Sequence, residues 1–205
     1  MLNSEFGVPS SEFLLLLIGT YLFASLNSAI VLFKLSGKSD PRAQFSQNAG
    51  TTNVYRQAGL FWAFLVLLTD VSKAVIIAVC ADWLLPRQHI PWIGLAMICG
   101  NRFPCWHHFQ GGKGVAHYIG FTSVAAPEVT IAALLAWILV YCVWCIPFVA
   151  SIIMVCVLAV GAATSQPWNG IAGFATIITA LLICYNHKRN IMELGIESVE
   201  FGIRK

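Results

Sequence analysis

Charged residues are scarce in this chain. Only 10% of its 205 residues are Asp, Glu, Lys or Arg, against roughly 25% in soluble domains, and 58% are hydrophobic. That composition excludes an ordinary water-soluble globule and predicts an all-α integral membrane protein with one membrane-embedded domain over residues 1–205. The net charge of +3 is too small and too scattered to hold a nucleic acid. No disulfide framework is apparent either. The seven cysteines lie mostly inside apolar runs, and Cys142-Val-Trp-Cys145 is a lone pair without partners. No Cys or carboxylate stands at ligand spacing from His107 and His108, so neither a metal nor another cofactor is expected. The first apolar run lacks the basic flank of a signal peptide, being preceded by Glu5 and Glu12, and it is too long for one. It reads as a retained span.

What is abundant is long apolar sequence. Runs at about 13–35, 58–85, 90–103, 114–126, 129–146, 147–165 and 168–186 predict about seven transmembrane helices. The third and fourth are short: tilted pieces, half-spans or helices extended into the interface. Basic residues then set the orientation. Lys34, Lys38, Arg42 and Arg56 flank the first polar loop, Arg102 and Lys113 the second, and Lys188, Arg189, Arg204 and Lys205 the tail. With seven crossings all three segments share one face, while the other holds Arg87 with Glu5, Glu12, Asp82 and Glu128. This asymmetry predicts an N-terminus outside and a C-terminus in the cytoplasm, with the polar loops clustered on the cytoplasmic face.

Those loops have a common chemistry. In Ser46-Gln-Asn-Ala-Gly-Thr-Thr-Asn53, Gly50 permits a turn, and either Thr51 or Thr52 could cap a helix that begins near Asn53. Ser46, Asn48, Thr52 and Asn53 offer short donors and acceptors, and Arg56, one turn in, suits a phosphate. The second loop, His107-His-Phe-Gln-Gly-Gly-Lys-Gly114, sets Lys113 among Gly111, Gly112 and Gly114 just before another helix start. Its spacing does not fit a nucleotide P-loop. The third, Asn186-His-Lys-Arg-Asn190, puts His187 and Asn190 on one helical face. Capped turns and headgroup contacts explain each segment singly. Together on one face they predict a surface site for a phosphorylated, partly lipidic ligand. Inside the second span, Asp70 and Lys73 stand three apart, either as a mutual structural pin or facing a substrate.

These residues resemble the bacterial acyl-phosphate:glycerol-3-phosphate acyltransferases of the PlsY type. The family pattern DxRxxGSGNxGATNVxR is matched by Asp40 to Arg56, GHxxPxFxxFxGGKGVAT by Gly100 to His117, and HxxNIxRL by His187 to Leu194. A DxxK step matches Asp70 and Lys73, and the resemblance runs from about Ala24 to Leu194. It implies a monomeric bacterial inner-membrane enzyme that transfers a fatty acyl group from acyl phosphate to the sn-1 hydroxyl of glycerol 3-phosphate, giving lysophosphatidic acid. Neither a metal nor the HxxxxD motif is implied, and no histidine here has an aspartate five residues on. The resemblance implies His187, Ser46 and Lys113 at the reaction itself. It implies Arg56 and Asn190 in substrate binding, and the loop chemistry adds Asn48, Gly50, Thr52, Asn53, Gly111, Gly112 and Gly114. The accepting group for the hydroxyl proton is either His187 or a phosphate oxygen of the donor. Asn101 replaces the family's histidine, Gln47 a glycine and His117 a threonine, and a family serine between the fifth and sixth spans has no clear counterpart around Cys145–Ser151. A relative with another acyl acceptor, or a non-catalytic protein that binds acidic lipids, is the alternative.

Overall fold

The computed structural model describes residues 10–165 and 170–194, and these are helical throughout apart from turns and loops. The main helices are α1 (Ser11–Ala24), α2 (Ser28–Leu35), α3 (Thr51–Ala58), α4 (Leu60–Leu84), α5 (Ile90–Arg102), α6 (Val115–Ala125), α7 (Pro127–Trp144), α8 (Pro147–Ser165) and α9 (Gly170–Tyr185). The charges predicted to mark the two faces at Glu5, Arg204 and Lys205, and the start of the last run at 168, lie outside the described residues.

Prolines stand at or next to the first helical position of α5 and α7, where the missing N–H costs nothing. Gly59, with φ of 84°, ends α3 and begins α4, so an amphipathic surface helix passes directly into an apolar one. Among the described residues α4, α7 and α8 are long and apolar enough to cross a membrane, and the bent pair α1 and α2 makes a fourth candidate. With 13 and 11 residues, α5 and α6 are shorter than the roughly 20 that a crossing needs.

The first apolar run is not one helix, as its length predicted. It breaks at Ser25–Asn27 and turns by 44°. Ser25 Oγ donates back to the Tyr21 carbonyl at 2.7 Å, and the Asn27 side chain accepts from Ile30 N–H at 3.2 Å, capping α2. The exposed backbone of the break is satisfied from α4, because Lys73 Nζ donates to the Leu26 carbonyl at 2.7 Å. Lys73 is also 3.6 Å from Asp70 Oδ1. The mutual pin, one of the two roles open to this pair, is therefore present and extends to the broken span.

Helix α5 sits at the centre, against α1, α9, α4 and α6. Ile93, Met97 and Ile98 of α5, Met154 and Leu158 of α8 and Ile183 of α9 are fully buried. Small residues bring backbones together, as is usual where lipid removes much of the hydrophobic drive between helices. A side chain at Gly100 would collide with the Tyr21 carbonyl, and one at Gly120 would lie 2.7 Å from the Val71 carbonyl and 2.9 Å from Ala74 Cβ. Outward positions such as Leu60, Phe61, Ile131, Leu135 and Leu139 stay exposed, a surface suited to hydrocarbon.

Candidate active site

The three polar segments meet. The first loop is folded around the buried Asn53, whose Nδ2 donates to the carbonyls of Pro41 (2.7 Å), Asn48 (3.0 Å) and Gln44 (3.2 Å). Its Oδ1 accepts from Ser46 N–H at 3.2 Å. Asn53 borders the cleft described below, but its amide is committed to holding the loop. Two further side chains that sequence reasoning passed over complete the frame. Asn27 Nδ2 donates to the Ala49 carbonyl at 3.2 Å. Arg42 forks onto Asp40 and also donates from Nη1 to the carbonyls of His107 and Gln110, each at 2.8 Å, tying the first loop to the second. The Arg42 guanidinium holds the Asp40 carboxyl below the usual carboxylate range. The Asp40-Pro-Arg42 spacing was the available signal; its partners lie more than sixty residues away.

Neither threonine caps α3. Gly50 does so, without a side-chain bond, and Thr51 and Thr52 open the helix. The Oγ1 of Thr51 is buried without a hydrogen-bond partner and lines the cleft.

The second loop doubles back on the end of α5. Gly111 N–H donates to the Arg102 carbonyl at 3.1 Å and Gly112 N–H to the Asn101 carbonyl at 3.0 Å. A side chain at Gly111 would run into the Asn101 carbonyl and Pro104. The expectation that these glycines admit a ligand is therefore corrected for Gly111: it admits α5, and it lies off the cleft. Gly114, at φ of 95°, turns the chain into α6. Lys113 is thereby placed on the cleft and donates from Nζ to Asn190 Oδ1. Burial lowers its pKa to about 8, with the charges of Arg56, Arg102 and Arg189 acting the same way and Glu193 opposing. Asn186, another residue that sequence reasoning left unassigned, donates to the Lys113 carbonyl at 3.2 Å.

His187 is buried, and its Nδ1 lies 2.9 Å from the Ile183 carbonyl. A carbonyl only accepts, so Nδ1 carries the hydrogen and Nε2 is left as the acceptor. Burial pushes the imidazole pKa down to about 4, the Ile183 bond opposing and the nearby Lys113 charge adding. The ring is thus neutral at ordinary pH.

One cleft of about 430 Å³ joins these parts. Ser46, Asn48, Gly50, Thr52, Asn53, Arg56, Gly112, Lys113, Gly114, His187 and Asn190 all line it, leaving Gly111 as the predicted residue it does not reach. From this polar pole the cleft continues between Leu67, Ile119, Leu134, Trp137, Phe148 and Met154. Ser151 lies on the same wall, accepting from Trp137 Nε1 at 3.2 Å and donating to the Pro147 carbonyl at 2.9 Å. The helix starts of α3 and α6 both face the polar pole, where they favour anions. The arrangement suits a ligand with phosphate at one end and an aliphatic chain at the other.

The sequence pattern described as Glycerol-3-phosphate acyltransferase matches residues 14–195. The chain belongs to the glycerol-3-phosphate acyltransferase family. It is 35% identical over 181 residues to the glycerol-3-phosphate acyltransferase of Pseudomonas paraeruginosa, covering 88% of this chain and 94% of that one. Identity with the Pseudomonas syringae pv. tomato acyltransferase is 37% over 185 residues, covering 90% and 95% of the two chains. The crystal structure of PlsY (YgiH), an integral membrane glycerol 3-phosphate acyltransferase, in its glycerol 3-phosphate form superposes with a TM-score of 0.85 at 30% identity. It covers 91% of this chain and 94% of that one. The lysophosphatidic acid form of the same protein gives 0.83 at 28% identity, covering 91% and 93%.

Within this acyltransferase fold the local departures have structural accounts. Gln47 adopts φ of 51° where the family pattern has glycine, and its Oε1 accepts from Arg189 Nη1 at 2.7 Å. It faces the third segment and does not line the cleft. Asn101 lines the cleft with its buried side chain while its carbonyl anchors Gly112. His117 also lines the cleft, with Nε2 3.9 Å from Asp70 Oδ1.

Proposed function

We propose that this chain is a single-domain, monomeric enzyme of the bacterial inner membrane, with its N-terminus outside and its polar loops in the cytoplasm. It transfers a fatty acyl group from acyl phosphate to the sn-1 hydroxyl of glycerol 3-phosphate. The observation that carries the reading is the cleft itself. A cationic, helix-start pole runs without interruption into an apolar arm, which matches an acyl phosphate beside a second phosphate ester. Crystal structures of a relative in a glycerol 3-phosphate form (30% identical) and a lysophosphatidic acid form (28% identical) support both ends of the reaction.

In this mechanism Arg56, Lys113 and the starts of α3 and α6 offset the repulsion of two phosphates held together. Asn190 orients the Lys113 ammonium, while Asn48, Gly50, Thr52 and Ser46 shape the phosphate cradle, and the loop frame built on Asn53, Gly112 and Gly114 keeps it open. The sn-1 oxygen attacks the acyl carbonyl carbon, the carbon–oxygen bond to phosphate breaks, and inorganic phosphate leaves with the bonding pair. The hydroxyl proton passes to His187 Nε2, which already presents its lone pair. Because the donor is activated, positioning supplies much of the rate. The test is direct: purified protein is given palmitoyl phosphate and glycerol 3-phosphate, and phosphate release is followed together with lysophosphatidic acid by mass spectrometry. Turnover that Lys113→Ala lowers by about a hundredfold or more is expected; a native protein that makes no lysophosphatidic acid overturns the proposal.

A further inference from the structure

Inside the cleft, in the first turn of α6, a second polar feature stands beside the phosphate pole. His117 is 1% exposed and Asp70, on the facing helix α4, is 5% exposed, yet both line the cleft. Neither His117 Nε2 nor Asp70 Oδ1 has a hydrogen-bond partner. Folded proteins leave few buried polar atoms in that condition. The two atoms are 3.9 Å apart, too far to bond each other, and both are closed over by packing; one oxygen admitted off their midpoint would lie within hydrogen-bond length of both. The other charge nearby, Lys73, is 3.6 Å from Asp70 Oδ1 but directs its hydrogen bond to the Leu26 carbonyl at 2.7 Å. Leu67 and Ile119 line the same cleft, so the pair is a polar notch in a partly apolar wall.

The chemistry of the notch selects its guest. In the tautomer that carries its hydrogen on Nε2, the imidazole donates, and a carboxylate accepts. The guest atom must therefore accept one hydrogen bond and donate another. A hydroxyl does both; a dianionic phosphate cannot donate and is repelled by Asp70, and a methylene does neither. We infer that His117 and Asp70 form a hydroxyl-binding subsite that determines which substrates this enzyme prefers. The inference rests on the acyltransferase reading above. The hydroxyl belongs either to the acceptor, as the one that is not acylated, or to the acyl donor, as a hydroxyl close to its carbonyl.

Two substrate pairs separate these sources. Glycerol 3-phosphate is compared with 1,3-propanediol monophosphate, and palmitoyl phosphate with 3-hydroxypalmitoyl phosphate, each by kcat/KM. The native protein is expected to favour the hydroxylated member of one pair by about tenfold or more. His117→Leu is expected to bring that ratio close to one, whereas His117→Gln, which restores an N–H at similar reach, keeps it within about threefold of native. A shift in the acceptor pair assigns the notch to the acceptor, and a shift in the donor pair to the donor. A native enzyme without preference in either pair overturns the subsite, as do ratios that His117→Leu leaves unchanged; the native ratios alone decide if that variant does not fold. If native protein makes no lysophosphatidic acid, the failure belongs to the proposed reaction. Thermal-shift titration of the same four compounds then reads the preference as a Kd ratio without turnover, and equal Kd values within both pairs overturn the subsite.

Discussion

The two loops that shape the phosphate pole are built in opposite ways. The first is held by side chains: Asn53 gathers three carbonyls, Arg42 bridges to the second loop, and Asn27 reaches in from the broken first span. The second is seated on α5 by backbone, with Gly111 and Gly112 laid on the carbonyls that end that helix, while Arg42 and Asn186 reach its other carbonyls from outside. A side-chain frame fails when one amide is removed. A backbone frame tolerates changes in its neighbours and fails when a Cβ is added. Both leave a helix start facing the same cleft, so one electrostatic result is reached by two routes with different vulnerabilities.

Substitutions can break that contrast, and the largest effect is expected at the charge both loops present. Lys113→Ala should lower kcat/KM by about a hundredfold to a thousandfold, as loss of a preorganised transition-state donor does elsewhere, while the melting temperature in detergent changes little. Gly111→Ala should come next, and chiefly in stability: its Cβ meets the Asn101 carbonyl, at a cost of about 1–3 kcal/mol for forced overpacking, read from thermal unfolding. Asn53→Ala should leave most of the helical core intact but lower activity at least tenfold, because it removes the one side chain that ties the Pro41, Gln44 and Asn48 carbonyls and the Ser46 N–H together, each hydrogen bond being worth about 1 kcal/mol net; the comparison of melting temperature with kcat/KM checks this. The smallest effect is expected at Gln47→Gly. That change relieves a positive φ but removes the Arg189 bond, so activity should stay within about threefold, since these opposing terms are each near 1 kcal/mol.

A pH profile sharpens the comparison further. Lys113 is charged below its pKa of about 8, so kcat/KM should fall as pH rises through that value. His187 is neutral above its pKa of about 4. The profile should therefore be flat from pH 5 to 7, without the inflection near 6.5 of an unperturbed histidine. An acid limb near 6.5 would overturn the depressed pKa of His187, unless it moves with the substrate phosphate, whose second ionisation lies near 6.

Much of this was readable in advance. Apolar runs located the helices to within a few residues, because burial in lipid leaves long unpunctuated sequence. Loop chemistry brought Arg56, Lys113, His187 and Asn190 to one site. What escaped were non-local hydrogen bonds. Nothing adjacent to Asn53 says that its amide faces inward, and nothing adjacent to Gly111 says that it lies on α5. The break at Ser25–Asn27 escaped for a related reason: Ser25 and Asn27 are only mild helix interrupters around a helix-forming Leu26, and the cation that completes the bend comes from Lys73, forty-seven positions later.

That bend also bears on how the protein is made. A span with an open carbonyl at its middle, and a later span carrying an ammonium, are each awkward guests in a bilayer when alone. Brought side by side they cancel the difficulty, through the bond from Lys73 to Leu26. The first apolar segment therefore has reason to wait at the insertion machinery until the segment from Leu60 to Leu84 has emerged, and the two would then leave for the lipid as a pair.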